Sequence, residues 1–396
     1  MRLLMLNNEY PPIGGGTATA NYYVIREMVK RGVDVDLITS TPLMNEYQVE
    51  ELSPRSHIYR IPINNQNPHY QSERELINYI YRGFFFARTL YRGSEPQYDL
   101  CHAWSGLPAG ALALLLKWKR TLPYVLGLRG SDVPGYDVRY KWLYPFLKPP
   151  LQLIWEGAIA LTANSYELRT LALQFRPNKT IEVIPNGIDL ERFQVAARSE
   201  ADRSKTFTIL CVARLVERKG IGDLIQAANY LRQKRDNFKF VFVGRGDKEE
   251  ELRAQVHQLG LDRWIEFRGS VLHHNVPEVY NEADVFVLPS LNEGMSNAIL
   301  EAMASGLPIV TTYTGGTAET LRGNGILVPK QSPDAIAKAI LELWDNDELR
   351  TSMGRRSRSI AESMQWDKVA DDYLELYERT LLKLHPSSKP VSPISV

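Results

Sequence analysis

Two glutamates stand eight positions apart in Glu293-Gly-Met-Ser-Asn-Ala-Ile-Leu-Glu301, and the run continues into Ala-Met-Ala-Ser-Gly306-Leu-Pro-Ile-Val. The stretch before them, Asp284-Val-Phe-Val-Leu-Pro-Ser290, reads as a buried parallel strand. Ser296 or Asn297 can cap the helix that follows, and Gly306 can close it. Glu293 then falls in the strand-to-helix loop and Glu301 inside the helix. Between them lie Gly294, Met295, Ser296 and Asn297, where first-turn amides form a seat for an anion. An acid, an anion seat and a second acid in a row suit a nucleotide sugar. Glu301 can accept both ribose hydroxyls, the helix start can hold phosphate, and Glu293 can reach hydroxyls of the sugar. The plainer reading of the two acids is a dipole partner and a surface charge.

Arg214 and Lys219 lie in Val212-Ala-Arg-Leu-Val-Glu-Arg-Lys219-Gly220-Ile, after a strand and before a helix. Two cations at the carboxyl edge of a parallel sheet make a diphosphate clamp, arginine as a fork and lysine as a point charge. A departing nucleoside diphosphate gains negative charge, so such cations stabilise the transition state more than the ground state. The plainer reading, a solvated basic loop, fits Arg218 best. Glu217 takes no site role.

Weaker signals surround these. Gly14-Gly15-Gly16 follows the first strand and precedes a helix over Thr17–Lys30. It is either a flexible turn or a place where backbone amides approach a phosphate or sugar. Val243-Gly244-Arg-Gly246 and Phe267-Arg-Gly269-Ser-Val271 end strands, and the first is too short for a dinucleotide fingerprint. Asp99-Leu-Cys-His102-Ala-Trp104 and Leu128-Arg129-Gly-Ser-Asp132 end strands in the first half. His102 is equally well a satisfied structural histidine. Arg129 can meet a donor phosphate or an anionic acceptor, or pair with Asp132.

The elements that must position these residues recur along the whole chain. Short apolar runs alternate with helical patterns, which means parallel sheets covered by helices. Strands are expected near residues 3–6, 33–39, 58–62, 99–103, 124–128, 159–163 and 181–184, then near 206–213, 240–243, 265–267, 285–288, 309–311 and 326–328. The polar, alanine-rich break between them makes residues 191–205 a linker between a domain over 1–190 and another over 206–365. Ligands in doubly wound sheets sit beyond the carboxyl ends of the strands. Trp366–Leu384 is an amphipathic helix with Val369, Tyr373, Leu376, Tyr377 and Leu381 on one stripe. Residues 386–396, rich in Ser, Pro and Lys, read as a disordered tail.

A length of 396 residues fits two domains, and 23% charged residues with a net charge of +1 argues against a general nucleic-acid binder. Cys101 and Cys211 sit in apolar runs, as reduced buried thiols of a cytoplasmic protein would. No Cys/His cluster has zinc spacing. The N-terminal apolar run is too short for a signal-peptide core, and none is long enough to span a bilayer. Residues 79–148 carry ten Lys/Arg against four Asp/Glu, interleaved with aromatics in Tyr79–Arg92 and Tyr140–Lys148. That mixture suits an anionic membrane surface, and equally a core helix with a wet basic face.

The Glu293–Glu301 run in its strand–loop–helix–strand setting resembles the E-x7-E segment of retaining glycosyltransferases of family four. Arg214 and Lys219 match that family's R-x4-K pattern, and Pro185-Asn186-Gly187-Ile188-Asp189 matches its junction motif. The resemblance implies a GT-B fold, with two doubly wound Rossmann-like domains facing across a cleft. It implies retaining, metal-independent transfer of a hexosyl group from a nucleoside diphosphate sugar, UDP favoured over GDP, to a saccharide or lipid-linked saccharide. No cofactor is implied beyond the UDP-hexose substrate. Glu293, Arg214 and Lys219 become the catalytic set. Gly15 and Gly16 would face the diphosphate, Gly244 the nucleoside, and Val271 would hold the base through its backbone. The helix over residues 366–385 would cross back to the N-terminal domain. Relatives often carry a second histidine where this chain has Trp104, and histidine where it has Arg129, so acceptor roles for His102, Trp104 and Arg129 depart from the pattern. Such an enzyme would work in the cytoplasm, either free or at the inner face of the membrane. A nucleotide-sugar epimerase or hydrolase on the same scaffold, or a non-catalytic nucleotide-binding regulator, are the other readings.

Overall fold

The computed structural model describes residues 1–41, 46–65, 71–91, 98–136, 143–195, 206–272 and 275–384. The expected tail and most of the expected linker lie outside the described residues. The chain forms two compact units. One holds Met1–Asn186 together with the helix from Trp366, and the other holds Gly187–Gln365.

The first unit is built on an eight-stranded sheet. Its strands are β1 (Arg2–Leu6), β2 (Asp34–Ser40), β3 (Gln48–Ser53), β4 (Ser56–Ile61), β5 (Leu100–Ala103), β6 (Tyr124–Leu128), β7 (Ala160–Ala163) and β8 (Ile181–Val183), in the order β3-β4-β2-β1-β5-β6-β7-β8. All neighbours are parallel except β3, which pairs antiparallel with β4 at the edge. The reading of apolar runs misses β3 because Gln48-Val-Glu-Glu-Leu-Ser has no such run, and its side chains are partly or fully exposed. The helix Gly16–Lys30 covers one face of this sheet, and the terminal helix Trp366–Leu384 packs beside it. Trp366 stacks on Tyr23 at 5.3 Å between centroids, and Val369, Tyr373, Leu376 and Tyr377 are buried there. The helices Glu73–Leu90, Ala111–Arg120 and Tyr144–Gly157 cover the opposite face around a separate apolar cluster.

The second unit is a six-stranded parallel sheet of β9 (Phe207–Val212), β10 (Phe238–Val243), β11 (Ile265–Gly269), β12 (Val285–Leu288), β13 (Ile309–Thr312) and β14 (Gly325–Val328). Its order is β11-β10-β9-β12-β13-β14. Winding therefore reverses between β9 and β12, and doubly wound sheets bind their ligands beyond the carboxyl ends of the strands at such a switch point, the β9–β12 crevice. Ile188 and Phe193 are buried in this unit's core.

Candidate active site

The crevice is where the sequence signals converge. After β9 the chain runs through Arg214, a 3-10 turn at Glu217–Lys219 and Gly220 into the helix Ile221–Leu231. Gly220 has φ +67°, and a Cβ there would lie 2.3 Å from the carbonyl oxygen of Pro289. Only glycine allows the turn to press against the end of the β12 segment. The contact is reinforced by Leu291 N–H donating to the Arg218 carbonyl at 2.8 Å. From the other side Gly315 presses on the same loop, with space for a Cβ closed by the Glu293 carbonyl at 1.8 Å. Thr312 Oγ1 donates to the Ser290 carbonyl at 2.5 Å.

Fixed in this way, the Lys219 ammonium meets Glu293 Oε2 at 2.5 Å, and Ser290 Oγ donates to the same oxygen at 3.1 Å. Arg218 Nη1 lies 4.0 Å from it. Arg218 is thus no solvated bystander, as the loop's composition suggests, but a half-buried member of the charge cluster. Arg214 is exposed at the rim, and its charge acts on Lys219. Two cations, Lys219 and Arg218, face the Glu293 carboxylate, while Glu217 turns outward to Lys248 at 3.6 Å. Burial pushes the Glu293 carboxyl up, but the charges of Lys219 and Arg218 outweigh it, and the group stays below its ordinary range. Burial depresses Lys219, and repulsion from Arg218 and Arg214 adds to this against the pull of Glu293. A further anion in the crevice would relieve that repulsion.

The helix behind the loop is Asn297–Ala304. Ser296 occupies its cap position but makes no capping hydrogen bond with its side chain, contrary to the sequence expectation. The first-turn amides therefore receive no acceptor from the cap. Gly306, at φ +74°, ends the helix as expected. Its N–H reaches the Met303 carbonyl, and Leu307 N–H reaches the Ala302 carbonyl, both at 3.0 Å. Gly294, Met295 and Ser296 are buried, whereas Asn297 is half-buried.

Glu301 is held by Tyr280, whose hydroxyl donates to Oε2 at 2.7 Å. Burial pushes this carboxyl up to about 7, with the Tyr280 bond and the charge of Arg192 pulling the other way. Ser290 and Tyr280 carry no motif signal. Tyr280 lies in the separate helix Val276–Asn281, and only tertiary packing brings it to Glu301. Gly244 (φ +134°) faces the Ala213 carbonyl at a distance that excludes any Cβ, and its N–H donates to the Gly269 carbonyl at 2.8 Å. Val271 is half-buried against the core just beyond β11.

In the first unit the Gly15 amide points at the Glu9 carboxylate (3.3 Å) at the start of the helix Gly16–Lys30. His102 and Trp104 are fully buried under the terminal helix rather than displayed at the strand ends. His102 Nδ1 meets the Tyr377 hydroxyl at 2.5 Å, and burial with the nearby Arg129 charge holds its imidazole well below the usual range. The Arg129 guanidinium lies 4.2 Å above the Trp104 ring and donates to Asn186 (3.0 Å) and Tyr373 (3.2 Å). Asp132 does not pair with that guanidinium. Its carboxylate accepts the backbone N–H groups of Gly106, Arg129 and Gly130. Two Asp-x-Asp spacings are engaged by arginines: Asp34 and Asp36 by Arg55 and Arg2, Asp345 and Asp347 by Arg235 and Arg350.

The chain matches Glycosyltransferase Family 4 over residues 14–192 and Glycosyl transferases group 1 over residues 193–360. A Mycobacterium tuberculosis protein described as a GDP-mannose-dependent alpha-(1-6)-phosphatidylinositol monomannoside mannosyltransferase is 30% identical over 69% of this chain and 74% of its own length. The chain belongs to glycosyltransferase family four. Its fold is GT-B. A solved sucrose-phosphate synthase from Thermosynechococcus elongatus superposes with a TM-score of 0.81 over 97% of this chain and all of that one, at 22% identity. Anabaena HepE in complex with UDP and glucose superposes with a TM-score of 0.75 over 95% of this chain and 99% of that one, at 20% identity. Family membership makes the chain a glycosyltransferase.

Proposed function

We propose that this enzyme transfers a hexosyl group from a nucleoside diphosphate sugar to a saccharide, with retention of anomeric configuration. The observation that carries the reading is the cationic cluster at the β9–β12 crevice, with Lys219 locked to Glu293 and Glu301 one helix turn and more beyond. Arg214 and Lys219 neutralise the departing diphosphate, and the Asn297 helix start adds its amide dipoles. Glu293 Oε2 is occupied by Lys219 and Ser290. Its Oε1 takes none of these bonds and is the oxygen for a sugar hydroxyl. Glu301 Oε1 and Oε2 accept the ribose hydroxyls in the carboxylate form. In the transfer the C1–O bond to phosphate breaks, the acceptor oxygen bonds to C1 on the same face, and the acceptor proton passes to a phosphate oxygen. Gly15 and Gly16 serve the donor phosphates, Gly244 the nucleoside and Val271 the base.

Two bases stand as candidates. The sequence resemblance favours uracil. The M. tuberculosis relative, whose described donor is GDP-mannose, favours guanine. Incubation with a panel of UDP- and GDP-hexoses and saccharide acceptors, with the product anomer read by NMR, tests the proposal. Transfer with retention supports it. Inversion, or sugar release unaffected by acceptor, overturns it in favour of a different chemistry on this scaffold.

A further inference from the structure

The helices Glu73–Leu90, Ala111–Arg120 and Tyr144–Gly157 form one continuous outer layer of the first unit. The first two meet where Gly83 lies against Leu112, leaving no room for a Cβ. The second and third meet where Gly110 lies against Ile154, and Lys117 Nζ donates to the Gly157 carbonyl at 2.7 Å. All three bury their inner faces in the same apolar cluster, through Tyr79, Leu112, Leu116, Ile154 and Trp155 among others. That core is complete without the outward side chains.

The outward faces are nevertheless rich in large apolar groups. Ile77, Tyr81 and Phe85 repeat at i, i+4 and i+8 along the first helix and are all exposed, Tyr81 at 63%. Trp118 is 64% exposed on the second helix and Phe146 74% exposed on the third. Water-facing helix positions ordinarily carry polar residues. The same layer exposes Arg74, Arg88, Lys119, Arg120 and Lys148 against the acids Glu73 and Glu156. Glu156 is itself paired with Arg176. Arg88 lies over the Phe85 ring at 5.8 Å, so cation and aromatic share one spot. Arg92, Arg139 and Lys141, counted in the sequence cluster, lie outside the described residues. Among the described residues no helix is long and apolar enough to cross a membrane.

We propose that this three-helix layer docks on an anionic bilayer, with Ile77, Tyr81, Phe85, Trp118 and Phe146 entering the headgroup boundary and the five cations meeting lipid phosphates. A layer that exposes both apolar side chains and cations complements such a surface on both counts. The inference goes beyond the transfer reaction and does not depend on its donor. It would hold the enzyme where glycans on lipid carriers are presented.

Each Lys or Arg near an anionic leaflet contributes about fivefold in partition, and salt screens it. The test is flotation with phosphatidylcholine vesicles, with and without phosphatidylglycerol, at low and high salt. Two triple variants accompany the wild type: R88E/K119E/K148E and Y81A/F85A/W118A. All six positions are exposed or at the surface, so both should fold and transfer to a water-soluble acceptor normally, which separates docking from catalysis. The wild type should float only with anionic vesicles at low salt. The charge-reversed variant should lose at least about two orders of magnitude in partition, and the apolar variant should also fall. A wild type that stays in the soluble fraction, or a charge-reversed variant that floats as well as wild type, would overturn the proposal. So would a wild-type dimer in sedimentation that the apolar variant dissolves, since the face would then belong to a second copy.

Discussion

Lys219 and Glu293 are 74 positions apart in sequence and 2.5 Å apart in space. They leave the sheet from β9 and β12, the two strands between which the winding reverses. The pair thus ties together the two walls of the crevice that a doubly wound sheet reserves for its ligand. It also holds an ammonium ion in a place where neighbouring cations make it costly, and where an arriving diphosphate would make it favourable.

Removing the cations should separate two effects. Arg214→Ala and Lys219→Ala should each lower kcat by about 10²–10³-fold with a smaller change in KM, as expected for charge stabilised in the transition state. Their stabilities should differ. Lys219→Ala leaves a largely buried carboxylate with the Ser290 hydroxyl and the more distant Arg218 as its partners, and should cost roughly 2–3 kcal/mol in denaturant unfolding. Arg214→Ala, at an exposed position, should cost less than about 0.5 kcal/mol. Normal turnover in both variants would remove the clamp from the mechanism.

Glu301 should destabilise the ligand-free enzyme. Its carboxyl rises from 4.5 to about 7 on folding. A raised acid binds more protons folded than unfolded, so its cost is absent below pH 4.5, grows between there and 7, and is complete above. Glu301→Gln keeps an acceptor for Tyr280 and removes the charge. The variant should be more stable than wild type at pH 8, on the order of 1–3 kcal/mol, with the difference vanishing near pH 4.5. Equal stability across that range would show the carboxyl to be unshifted.

The same group should govern donor binding. In the proposed donor pose the carboxylate, not the acid, would accept both ribose hydroxyls. Affinity for an intact nucleoside diphosphate sugar, which has no phosphate proton in this window, should fall as pH drops below about 7, by up to tenfold per unit. Glu301→Gln should bind weakly with a flat profile. A wild-type profile that stays flat from pH 8 to 5.5 would assign the ribose to another group.

Transfer should survive a chelator if, as proposed, Arg214, Arg218 and Lys219 supply the positive charge at the phosphate seat. Activity lost in excess chelator and restored by magnesium or manganese would contradict this.

Much of the fold is legible in the sequence because parallel strands buried on both faces read as unbroken apolar runs. β12 and the terminal helix match their expected bounds, whereas the exposed edge strand β3 has no such run. At the site, spacing singles out candidate residues more readily than it shows what they touch. Arg214, Lys219, Glu293 and Glu301 stand out from the chain. The lock between Lys219 and Glu293 does not, since it depends on a left-handed turn at Gly220 closing against Pro289. Tyr280 is invisible beside Glu301 for the same reason: the contact is tertiary. His102, Trp104 and Arg129 attract notice as strand-end residues. The stripe on Trp366–Leu384 that covers them reads simply as an apolar helix face until its partner is known.

The most direct measurement is calorimetric titration of the wild type and of Lys219→Ala and Glu301→Gln with UDP, GDP and the corresponding hexose donors. One nucleoside diphosphate should bind the wild type in the micromolar range, about 8 kcal/mol, and lose at least tenfold in each variant while the fold remains intact. Binding undiminished in both variants, or no binding of any nucleotide to the wild type, would contradict the assignment of the β9–β12 crevice as the donor seat.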